Sequence, residues 1–70
     1  MSYFIQVNWD PDARVWYAVC DDIPLALESN SFDALVERVK VTAKEILDLN
    51  APPADSIDLH FQATRMESIA

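Results

Sequence analysis

Apolar residues recur every three to four positions in only one stretch of this chain. Elsewhere the patterned segments repeat every two. From Phe32 onward, Leu35, Val39, Ala43, Ile46 and Leu47 form a stripe flanked by Phe32, Val36 and Leu49, while Glu37, Arg38, Lys40, Lys44, Glu45 and Asp48 fall mostly outside it. This spacing predicts an amphipathic helix of about five turns. Ser31 is its expected N-cap, with Asp33 in the first turn to complement the helix dipole. Asn50 is placed to take a left-handed C-cap in a chain that contains no glycine, and Pro52-Pro53 closes the helix. A single helix covers a single sheet face. Whatever the strands build must therefore turn its other face to solvent or to a partner.

Residues 3–9 alternate Tyr3, Ile5, Val7 and Trp9 with polar Gln6 and Asn8, as a half-buried strand does. Asp10-Pro11-Asp12-Ala13 is turn chemistry, and residues 14–20 form a second, β-branched and aromatic strand, so the two make a hairpin. Asp21-Asp22-Ile23-Pro24 interrupts the pattern, and Pro24 confines the next segment to an edge position; residues 25–28 are a short third strand. In residues 57–64, apolar residues alternate with Asp58, His60, Gln62 and Thr64, giving one dry and one wet face. The predicted fold is α+β, in the order β-β-β-α-β: a small antiparallel-rich sheet with one helix packed on one face, in a single domain spanning residues 1–70.

Pairing Trp9 with Val15, Val7 with Tyr17 and Ile5 with Val19 joins apolar to apolar on one hairpin face, and a slip by one residue would exchange the faces. In this register Asn8 faces Trp16, Gln6 faces Ala18 and Phe4 faces Cys20. Phe4, Trp16, Ala18 and Cys20 then form a patch away from the helix, the expected interface, and predict a homodimer or higher oligomer. Oligomerisation also suits a chain of 70 residues, which is short for a self-sufficient core.

Twelve acidic residues against five basic ones leave a net charge of −7. That balance argues against nucleic acid and anionic membrane as direct partners and favours basic proteins. Cys20 is the only cysteine, which excludes an internal disulfide and points to a reducing, cytoplasmic setting. No apolar run reaches the ~18 residues that span a bilayer, and the N-terminus lacks a basic region of the signal-peptide kind.

Few residues suggest chemistry. Asp10-x-Asp12 lacks the other oxygen ligands of a calcium loop and reads as an acidic turn. Asp21 and Asp22 are adjacent, so in extended chain they point apart and form a solvated loop rather than a metal pair. His60, the single histidine, has no triad or ligand cluster around it in sequence, and Cys20 has no basic neighbour to activate it. No catalytic, cofactor or metal residues are assigned, and the chain is expected not to be an enzyme.

The strand ending in Trp9-Asp10-Pro11, then Val15-Trp16-Tyr17-Ala18, Asp21-Asp22-Ile23-Pro24 and Ser31-Phe32-Asp33-Ala34-Leu35, together resemble the bacterial DUF1902 family, which is related to the N-terminal domain of HicB antitoxins. The resemblance covers about the first fifty residues closely and the last strand in kind. It implies a partial ribonuclease-H-like fold without nuclease activity, and a small basic RNA-cleaving toxin as the partner to be masked. Two departures stand out. Pro24-Leu25 replaces the Pro-Gly usual after the second strand, and no DNA-binding segment comes after the last strand, so operator binding is not carried over. The alternative expectation is a stand-alone homo-oligomer with a structural or ligand-sensing role and no toxin.

Overall fold

The computed structural model describes residues 2–50 and 57–69. Its elements are β1 (Ser2–Asp10), β2 (Val15–Cys20), β3 (Leu25–Ser29), α1 (Phe32–Asn50) and β4 (Asp58–Thr64). The order is the expected one, including the short third strand. The four strands form one mixed sheet in the order β3-β2-β1-β4, with β1 antiparallel to β2 and parallel to β4. Pro52 and Pro53 lie outside the described residues.

The hairpin turn sets the register. Asp10 Oδ1 accepts the backbone N–H of Asp12 at 3.0 Å and of Ala13 at 3.2 Å, and the Asp10 carbonyl accepts the N–H of Arg14 at 2.7 Å. Arg14 takes the left-handed conformation, φ 59°. Together these close the loop at Asp10 opposite Val15, so Trp9 pairs with Trp16 and Val7 with Ala18. The register expected from the sequence is therefore corrected by one residue. Matching apolar with apolar takes no account of the length of the turn, which capping by Asp10 shortens, or of the cross-strand indole pair, with ring centroids 5.3 Å apart.

The slip exchanges the faces of β2. Ala18 is fully buried in the core with Tyr3, Ile5 and Val7, and Trp16 and Cys20 pack against that core. Above them α1 contributes buried Leu35, Val39 and Ala43, with Phe32, Ile46 and Leu47 half-buried, while Leu49 is exposed. Ser31 caps the helix as expected: its Oγ accepts the N–H of Ala34 at 3.3 Å, and its carbonyl that of Leu35 at 3.0 Å. Ile23 is buried too, although it sits in the β2–β3 loop, where no strand or helix period would reveal it. The helix lies over β2 and β3. On β4, Leu59 and Phe61 are half-buried against the core and Ala63 is exposed, so the dry side of that strand is only partly covered.

Two outcomes follow for stability. Leu35→Ala should cost about 3 kcal/mol in a urea melt, because it empties a fully enclosed site beneath the helix. Arg14→Gly should be neutral or stabilising by up to ~1 kcal/mol, because glycine takes φ 59° without steric cost, whereas Arg14→Val should destabilise by ~1–2 kcal/mol.

Candidate interaction surface

The sheet face opposite α1 carries the even-numbered residues of β1 and β4 and the odd-numbered residues of β2. At its centre lie Phe4, Tyr17 and Val19, exposed by 55%, 40% and 38%. These are large apolar groups left in water on the strands nearest the middle of the sheet. On one side, β4 contributes His60, whose ring stacks on Phe4 at 4.9 Å and 24°, and Gln62, whose Oε1 accepts Gln6 Nε2 at 3.3 Å. Both contacts join residues directly opposite in the parallel register. On the other side, Tyr17 and Val19 face Glu28 and Ala26 of β3. A shallow groove runs there, lined by Tyr17, Val19, Ala26, Glu28 and Arg38. Arg38 reaches it from α1 and donates from a guanidinium nitrogen to the Glu28 carbonyl at 2.6 Å.

The expected patch does not assemble. Phe4 stands on the open face, but Trp16, Ala18 and Cys20 lie on the helix side, with Ala18 fully buried. Trp16 belongs to an aromatic row at one end of that side: Trp9 meets Trp16 edge-on, Trp16 meets Phe32 edge-on at 5.5 Å, and the Arg65 guanidinium lies 4.0 Å from the Trp9 ring centroid. Tyr17 and Val19 take the place of Trp16 and Ala18 on the open face. The sequence hid them because both faces of β2 are apolar, so that strand has no wet side to declare its orientation. The signal that would have found them is Asp10, whose side chain shortens the turn.

The remaining candidates are simple in outline. Asp10 is a turn acceptor, Asp21 and Asp22 are exposed in a loop, and Cys20 is a half-buried free thiol. Among the described residues no three His, Cys, Asp or Glu side chains converge as metal ligands, and no helix is long and apolar enough to cross a membrane.

A mixed four-stranded sheet with one helix on one face defines a small α+β domain whose most distinctive surface is the uncovered sheet. The chain belongs to the family described as a domain of unknown function, DUF1902, whose model matches residues 2–70. It is similar to a solved structure, hypothetical protein TTHA1013 from the extremely thermophilic bacterium Thermus thermophilus. The two are 31% identical, with a TM-score of 0.83, over 99% of this chain and 100% of that one. No curated protein matches.

The two faces of β2 should separate by mutation. Trp16→Ala should destabilise by about 2–3 kcal/mol, since it removes the middle of the aromatic row, whereas Tyr17→Ala on the open face should stay within ~0.5 kcal/mol. Parallel urea melts check both.

Proposed function

We propose that this domain is a non-enzymatic protein-interaction module that seats a small basic protein on its open sheet face, in the manner of a HicB-type antitoxin masking an RNA-cleaving toxin. The observation that carries this reading is the exposed group Phe4, Tyr17 and Val19 on an uncovered sheet in a chain of net charge −7. Glu28 and Asp58 sit on the outer strands at positions that face the same side. Their charge, and that of the chain as a whole, speeds the approach of a basic partner, while the central apolar groups slow its departure. Masking needs only that the partner's own working surface be covered, so no reactive group is required of this chain. The DUF1902 assignment is compatible with such a role, and the domain is taken to act in the cytoplasm.

The test is a pull-down with the domain from its native host and mass spectrometry of what it retains, then calorimetric titration of the purified domain with the small basic protein recovered, run with an RNA-cleavage assay of that protein. Binding should weaken steadily as salt rises, should be lost in Tyr17→Lys, and should suppress cleavage; the domain alone should cut no RNA with Mg²⁺ or Mn²⁺. Salt-independent binding that survives Tyr17→Lys, or cleavage unaffected by the domain, would overturn the proposal.

A further inference from the structure

The two outer strands of the sheet are finished differently. β3 has five residues, follows directly on Pro24, carries the charge of Glu28, and has its Glu28 carbonyl occupied by Arg38. These are the usual devices that stop an edge strand from recruiting another. β4 has seven residues, DLHFQAT, in unbroken register with β1 and therefore without a bulge, and it holds no proline, lysine or arginine. Among the described residues nothing pairs with its outer side. Its helix-side residues Leu59 and Phe61 are also only half-buried, because α1 lies over the opposite half of the sheet.

We propose that β4 pairs antiparallel with β4 of a second copy, about a twofold axis through Phe61. Three observations select a second copy as the occupant. In this register each position meets its own kind: Phe61 faces Phe61, Leu59 faces Ala63, and His60 faces Gln62. The one charge in the strand, Asp58, faces the neutral Thr64 rather than its own equivalent. Among the described residues most carboxylates of this acidic chain also lie elsewhere: Asp10 and Asp12 in the hairpin turn, Asp21 and Asp22 in the next loop, Glu28 on the far edge, and Asp33, Glu37, Glu45 and Asp48 on α1. Asp58 is the single carboxylate of β4, so a basic protein finds less charge to pair with along this edge than on the acidic loops, whereas a like-charged copy meets least repulsion there. The twofold axis stands perpendicular to the sheet, so two four-stranded sheets become one of eight strands, with both helices on one side. This dimer leaves the open face uncovered and stands independently of what binds there.

Sedimentation velocity on the full chain across a concentration series tests this. The wild-type chain should dimerise at micromolar or higher concentration, and more tightly as salt screens the net charge of −7. His60→Lys with Gln62→Lys sets like charges opposite each other at two places and should weaken dimerisation by roughly tenfold or more. His60→Lys with Gln62→Glu sets opposite charges there and should restore it. Thermal melts of each variant establish that the monomer is folded. Tyr17→Lys, which should abolish binding of a basic partner, should leave the dimer intact. A wild-type monomer at all concentrations would overturn the proposal, as would a dimer that survives the double-lysine change or is lost in Tyr17→Lys.

Discussion

The Asp10 carboxylate, through the two backbone N–H groups it accepts, determines which side chains of this protein are inside. A side chain that holds a turn of set length sets the hairpin register, and in a sheet a register step of one exchanges the faces. With Asp10 opposite Val15, Ala18 falls beneath α1, where its small size lets Leu35, Val39 and Ala43 close down on Ile5 and Val7. Tyr17 and Val19 are turned outward in consequence. The core and the exposed surface thus come from one local decision made at the end of the first hairpin. The cross-strand pairing of Trp9 with Trp16 reinforces it.

Arg14 shows what a chain without glycine does at such a place. The turn needs one residue at positive φ, and arginine supplies it. The strain is modest, ~1–2 kcal/mol for an L-residue. It is tolerated because the side chain is exposed and the Arg14 N–H bonds to the Asp10 carbonyl at 2.7 Å. Function and stability meet here: the strained residue belongs to the same turn that presents Tyr17 and Val19.

Much of the architecture was legible in the residues. The change from a period of two to a period of 3.6, the Ser31 cap and the alternation in β4 are each set by local patterns, and each appears in the structure. The orientation of β2 was not legible, because Val15, Tyr17 and Val19 are as apolar as Trp16, Ala18 and Cys20, and hydrophobic patterning cannot rank two greasy faces. The burial of Ile23 was hidden for a related reason, since a loop has no period from which to infer an inward residue. The open face was foreseen as a consequence of having one helix. Its occupants were not, apart from Phe4, because they depended on that unresolved orientation.

The parallel pairing of β1 with β4 also bears on how the chain acquires its shape in time. Gln6 and Gln62 touch across a separation of 56 residues, and almost the whole chain lies between them. During synthesis the hairpin, β3 and α1 can assemble while β1 still lacks a neighbour on one side. For that interval the strand that will be interior, with Phe4 on it, is itself a sheet edge. Non-local pairing of this kind is slow compared with hairpin closure. The nascent protein therefore passes through a stage in which its first strand is open to any extended segment that arrives before its own last one.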